Sequence, residues 1–324
     1  MRTQDLDLHV EKDSKFFYED RYSKGYMEEW PLEKKQRVFE VIKDLELPEN
    51  GEALDFGCGN GVFTDVLRAA LPQWKIYGSD ISEVAIGNAI KRFPECAFFV
   101  KGDEQLRDKK FDFIFSHHVL EHVFDIEDVG KQLSRLAKEH AQMLHIFPCG
   151  NPGSYDYKIC LLRRNGIDKT NGNRFFFEDE GHVRRMTTEE CAGLFSQHQF
   201  ELKKGYYSNQ YYGSMNWITR SKPLFVLKTF NPLKANNITS GIQLAALSIK
   251  LFILTSLRFT TLQAERLSKI KEKTGKQSLA SWIFWLPSKI AEPVDVYIKT
   301  RAKQEWDQLK HQKNGSEMYL SFSR

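Results

Sequence analysis

Between residues 51 and 147 short apolar runs alternate with amphipathic stretches of roughly 10 to 15 residues, the rhythm of βα units and a parallel sheet. The runs lie near 52–56, 75–79, 97–100, 111–116 and 141–147 and predict five strands. Between them "VFTDVLRAAL", "SEVAIGNAIKRF" and "DIEDVGKQLSRLAKEH" place apolar residues three and four apart, as helices lying on a sheet do. Ser82 and Asp125 stand where two of these helices need caps. After Phe147 a polar segment containing Gly and Asn runs to a helix start at "TTEECAGLFSQH". A loop that long inside a domain is more often functional than idle. A sixth strand, "FELKKGYY", follows. From 208 to 313 helical sequence, very apolar or very basic, breaks the rhythm, and "SEMYLSFSR" returns the chain to the sheet as a seventh strand.

Composition adds little to this picture. At 324 residues and 41% apolar content the chain can bury one core and carry a large addition. A net charge of +4 is too small to argue for nucleic acid. The five cysteines have no C-x-x-C spacing, which fits a reducing cytoplasmic setting, and the N-terminus lacks the apolar core of a signal peptide.

The stretch "EALDFGCGNGVFTDVL" carries the first candidate chemistry. A strand, a turn with Gly57, Gly59 and Gly61, and a helix start bring bare backbone amides up to a ligand. No Gly-Lys-Ser or Gly-Lys-Thr follows, so a P-loop is excluded, and Val62 stands where a dinucleotide fingerprint needs a small residue. Asp55 ahead of the turn would repel a pyrophosphate and attract an ammonium group. Asp80, ending the second strand, suits both hydroxyls of a ribose, and Asp103 the amino group of an adenine. The ligand so described is cationic at one end and a nucleoside at the other.

In this order "LDFGCGNG", "IYGSDIS", "KGD" and "FDFIFSHHVLEHV" resemble a class I S-adenosylmethionine-dependent methyltransferase of the group acting on small molecules, lipids and glycans. "EDEGHVRRMTTEECAGLFSQHQFELKK" is similar to that group's segment before the sixth strand. The resemblance implies an α/β, Rossmann-like seven-stranded methyltransferase sheet flanked by helices, with the last strand antiparallel and a helical insertion between the sixth and seventh strands. It divides the chain into an N-terminal helical cover at 1–50, a core at 51–207, a basic and apolar insertion at 208–313 and the final strand at 314–324. It implies the cofactor S-adenosyl-L-methionine. Asp55, Gly57 and Gly59, with Gly61 closing the turn, would line its methionine part, Asp80 its ribose, Ile81 the adenine face and Asp103 the adenine edge. Ser116 and His117 would lie beside the sulfonium, and one of Tyr18, Tyr22 and Tyr26 would cover the cofactor.

Methyl transfer to a hydroxyl needs a base, and histidine is the natural one. His117 and His118 after the fourth strand and His182 in "EGHVRR" are the catalytic candidates, whereas His145 reads as a core residue and Arg184 and Arg185 as a solvated pair. His118 to His122 matches H-x-x-E-H, but zinc is set aside because the segment leaves a strand rather than lying on a long helix. No metal is expected. Nor is nucleic acid, since "SHHV" replaces the Pro-Pro-aromatic motif of adenine methylation.

Between Arg220 and Lys276 eleven basic residues face two acidic ones, around the apolar run 241–257. Lys250 at the middle of that run argues against a spanning helix. With Trp282, Phe284 and Trp285 behind it, the region 220–290 reads as a contact for an anionic membrane surface, a lid, or a homodimer interface. The expected function is methyl transfer to a small-molecule, lipid or lipid-linked glycan acceptor, at oxygen, in the cytoplasm or at the inner membrane face. The alternatives are a non-catalytic membrane-surface module on the same core and a nicotinamide oxidoreductase, the latter disfavoured by Val62.

Overall fold

The computed structural model of the chain describes residues 11–276 and 278–324. Helices α1 (Glu11–Ser23) and α2 (Leu32–Asp44) precede β1 (Glu52–Phe56), α3 (Val62–Ala70), β2 (Lys75–Asp80), α4 (Glu83–Arg92), β3 (Ala97–Val100), β4 (Phe111–His117), α5 (Ile126–Leu136) and β5 (Ala137–Pro148). Next come α6 (Tyr155–Leu161), the two-residue strands β6 (Ile167–Asp168) and β7 (Arg174–Phe175), α7 (Thr188–Ser196) and β8 (Glu201–Ser208). The helices α8 (Tyr212–Ile218), α9 (Pro223–Thr229), α10 (Ile238–Thr274) and α11 (Leu279–Leu309) lead to β9 (Glu317–Ser323).

Seven strands form one sheet in the order β3-β2-β1-β4-β5-β9-β8. β1 pairs in parallel with β2 and β4, β2 with β3, and β4 with β5. Parallel strands covered on both faces must be apolar throughout, and Ala53, Leu54, Phe113, Ile114 and Phe115 are all buried. The chain leaves β1 toward β3 and returns across it to β4. This reversal puts the carboxyl ends of β1, β2 and β4 around a crevice, where such sheets bind ligands.

Ser82 and Asp125 cap α4 and α5 as expected, accepting from Ala85 N and Asp128 N. The helix expected over 125–140 stops at Leu136, and β5 begins at Ala137, well ahead of 141. Phe111 pairs with Ala137 while Phe113 pairs with Gln142, an irregularity that lets the strand start early. Apolar spacing does not reveal such a bulge.

The chain forms two compact units. The first runs to Phe147 and takes in Glu189–Gly205 and Tyr319–Arg324; the second comprises Pro148–Thr188 and Tyr206–Met318. Residues 148–188, which the sequence pattern groups with the core, thus belong to the second unit. Cys149 N donates to Ser316 O at 2.9 Å, Tyr155 N to Gln210 O at 2.8 Å and Arg164 N to Lys234 O at 2.9 Å. Ile159 joins Ile218, Val226, Phe230, Leu244 and Leu251 in one apolar cluster. The same unit buries Arg258, whose guanidinium donates to Asp295 Oδ1 at 2.7 Å and Thr219 Oγ1 at 2.6 Å. A buried guanidinium is tolerable only when its donors are met in this way.

Candidate active site

β1 delivers Asp55 and Phe56 to a turn in which Gly57 and Gly59 have φ of 76° and 51°, backbone that residues with a Cβ avoid. A Cβ at Gly57 would run into Val119, and one at Gly59 would lie 2.7 Å from the Tyr22 hydroxyl. Gly57 N and Cys58 N donate to Ser79 O at 2.7 and 3.0 Å, holding the turn against the end of β2. Gly59 N and Ser82 N donate to the two oxygens of Asp80, each at 2.9 Å. Burial pushes the Asp80 carboxyl up, and the N–H groups of Ser82, Gly59 and Ile81 offset part of that. Asp80 is therefore oriented before any ligand arrives.

Asp55 is 1% exposed. Its Oδ2 accepts from Thr64 Oγ1 at 2.6 Å, whereas Oδ1 is buried without a hydrogen-bond partner among the described residues. Burial, only partly offset by Thr64 and reinforced by the charge of Asp80, raises its pKa to about 7. A carboxylate left in that state lacks a cation.

α1 covers the turn. Glu19 accepts from Ser82 Oγ at 2.9 Å, Glu83 N at 2.7 Å and Val84 N at 3.1 Å, which caps the start of α4. Asn60 Nδ2 donates to Tyr26 O at 3.0 Å and so ties the chain after α1 to the glycine turn. Of the three tyrosines expected near the cofactor, Tyr22 stands against Gly59. Burial and then the charge of Asp80 push its phenol well above the usual range. Glu19→Ala should lower stability by about 1 kcal/mol, a melting decrease of a few degrees, through loss of the cap. Faster amide exchange confined to α1 would separate this effect from general destabilisation.

His117 at the end of β4 is buried, its ring 3.8 Å from that of Phe63 and edge-on to Trp30 at 4.7 Å. His118 follows with φ of 54°, rare for a residue with a side chain and frequent at functional positions. Its Nδ1 lies 2.7 Å from the carboxylate of Glu121, which is fully buried. His118 and His122 share no helix, because only a 3-10 turn, Leu120–His122, follows the strand. The Ser116 hydroxyl is committed to His145 Nδ1 at 2.7 Å, and the His145 ring stacks on Phe195 at 4.6 Å. Burial alone takes His145 down to about 3, a neutral core histidine as expected. Asp103 accepts from Gln105 N at 2.9 Å and caps a short turn after β3.

His182 lies in the second unit, with Nδ1 2.5 Å from Glu178. Arg185, expected as half of a solvated pair, is buried and donates from Nε to the other Glu178 oxygen at 2.6 Å. Burial would raise Glu178, but Arg185 and His182 hold it at about 2. The sequence reading also passed over Thr64, Trp30, Phe63, Glu121 and Glu19. Of these, Thr64 had a signal, one helical turn beyond the glycines.

S-adenosylmethionine suits these residues. Its ammonium group would supply a cation for Asp55, and its ribose hydroxyls would find second lone pairs on Asp80 to donate to. Fold and turn together define the class I S-adenosylmethionine-dependent methyltransferase architecture. The chain belongs to the family described as the methyltransferase domain, whose model matches residues 26–204.

Two curated relatives are similar over part of their length. The trans-aconitate 2-methyltransferase of Variovorax paradoxus is 30% identical over 96 residues, 29% of this chain and 37% of that protein. The ubiquinone biosynthesis O-methyltransferase of Pelagibacter ubique is 32% identical over 114 residues, 32% of this chain and 47% of that protein. The chain thus spans less than half the length of either. Among solved structures, the magnesium protoporphyrin IX methyltransferase of Synechocystis is 19% identical, with a TM-score of 0.46 over 62% of this chain and 95% of that one.

Proposed function

We propose that this protein transfers a methyl group from S-adenosylmethionine to a hydroxyl oxygen of a small-molecule acceptor, a lipid or lipid-linked glycan, and works peripherally at a membrane. The observation that carries the cofactor reading is the buried Asp55, whose Oδ1 has no hydrogen-bond partner among the described residues, beside the pre-oriented Asp80. The names of the two curated relatives, a small-acid methyltransferase and an O-methyltransferase, support a small acceptor.

Bound there, the cofactor supplies a methyl group on an electrophilic sulfonium, so the chain's own task is alignment, exclusion of water and handling of one proton. Asp55 and the glycine turn hold the amino-acid end, Asp80 the ribose, with Ile81 and Asp103 toward the adenine. α1, Trp30 and Phe63 keep water from the ends of β1 and β4. His118 takes the proton of the acceptor hydroxyl. The carboxylate of Glu121 on Nδ1 selects the tautomer with the proton there and directs acceptance to Nε2.

Calorimetry with the cofactor and its demethylated product tests the reading; no binding of either overturns it. Asp80→Ala should weaken cofactor affinity about 10- to 100-fold through loss of charge-assisted hydrogen bonds worth about 1.5–3 kcal/mol. Unchanged affinity would remove Asp80 from the site. The non-catalytic alternative predicts cofactor binding without turnover of any hydroxylated lipid.

A further inference from the structure

α10 buries one stripe and exposes the opposite one. Leu244, Ser248, Leu251, Thr255, Arg258 and Thr261 recur at helical spacing on its inner face, packed within the second unit. On the outer face stand Ile238, Ile242, Ile249 and Ile253, 85%, 67%, 60% and 52% exposed. A solvated helix face carries polar residues at such positions.

The start of α11 is stranger. Over 279–290 no residue is buried, and Leu279, Trp282, Ile283, Trp285, Leu286 and Ile290 are each more than half exposed. Apolar exposure beyond a few hundred Å² marks an interaction surface. Between the two apolar faces, the end of α10 and the link to α11 expose Arg266, Lys269, Lys271 and Lys276 against Glu265 and Glu272.

We infer that these outer faces and the basic segment joining them form a docking surface for an anionic lipid bilayer, an inference that names the partner of the peripheral placement proposed above and rests on it. Two features select lipid over a second copy of the chain. Lysine is depleted from protein–protein interfaces, whereas here exposed lysines fill the segment of chain that joins the two apolar faces. Tryptophan beside lysine is the composition that settles at headgroup depth, with the rings at the acyl boundary and the ammonium groups on anionic lipid.

The surface lies in the membrane plane. α10 is long and apolar enough to cross a bilayer by length and composition. Leaving the second unit would, however, strip Arg258 of Asp295, Thr219 and Asn216 and carry a guanidinium into hydrocarbon. Lys250 also stays engaged, donating to the Tyr211 hydroxyl at 2.9 Å. Only the outer face is available to lipid.

Vesicle flotation of the full chain tests the assignment, with cofactor calorimetry on the same preparations. Wild type should float with phosphatidylglycerol-containing vesicles and only weakly with pure phosphatidylcholine, and raising salt from about 0.1 to about 0.5 M should reduce the bound fraction. W282S/W285S, and separately K269E/K271E, should lower partitioning about tenfold or more while keeping wild-type melting and cofactor affinity. Failure of wild type to float on anionic vesicles overturns the docking surface and leaves the methyltransferase reading standing if cofactor still binds. A concentration-dependent dimer dissolved by W282S/W285S, without flotation, overturns it in favour of a second copy.

Discussion

Asp55→Asn should stabilise the ligand-free protein while weakening its hold on S-adenosylmethionine, and the stability gain should grow as pH rises. The carboxyl is raised from 3.8 to about 7, by burial first and by Asp80 in addition. A group raised in the folded state gives its full stability below the unfolded pKa, near 4, and loses it as pH climbs through the folded value near 7. Three units correspond to about 4 kcal/mol, fully lost above neutral pH. Asparagine carries no charge to desolvate, so this part of the slope should vanish in the variant. The cofactor's ammonium restores a partner for the carboxylate, so the melting increase on cofactor binding should be larger in wild type than in the variant above pH 7. Unfolding between about pH 5 and 9, with and without the demethylated cofactor, measures both effects. Parallel pH slopes in the two proteins, or equal cofactor affinities, would show that Asp55 is a structural acid only.

His118→Ala should lower kcat about 10²- to 10⁴-fold, the usual contribution of a positioned general base, with cofactor affinity preserved. The variant should also lose the decline in rate at acid pH that an imidazole base imposes. Glu121→Gln keeps the shape but removes the charge that orients Nδ1, so kcat should fall while KM for the acceptor changes little. His182 shares the carboxylate-bound arrangement through Glu178. Loss of turnover in His182→Ala, with His118→Ala near wild type, would transfer the role to the second unit. Loss in neither would mean that methyl transfer here needs no histidine base.

The two effects have a common physical origin. Asp55 and Glu121 are acids held where water cannot solvate them, and each is costly to the fold unless a charge or a proton meets it. Buried acids of this kind mark sites where stability has been given up for binding or catalysis. Arg258 with Asp295 shows the contrasting structural case, in which each guanidinium nitrogen donates to an acceptor within the protein.

Much of this was legible in the chain. Five parallel strands, the glycine turn and the acids at 55 and 80 lie within local pattern, because pleat, helical period and turn chemistry are properties of neighbouring residues. Ser82 and Asp125 as caps, His145 as a core residue and the helical insertion before the last strand follow from the same local rules. Other features required the folded chain. Glu19 meets the start of α4 more than 60 residues on, Trp30 closes on His117, and Arg185 is buried by Glu178 and the carbonyls of Cys149 and Ser316. Residues 148–188 pack into one compact unit with 206–318, and β5 starts early at a bulge. The sequence by itself determined the strand–turn–helix and the cofactor it suits, since those depend on residue types at short spacing. Only the tertiary structure decided that Asp55 Oδ1 has no hydrogen-bond partner among the described residues and which apolar faces stay uncovered, since both depend on what distant segments bring, or fail to bring, into contact.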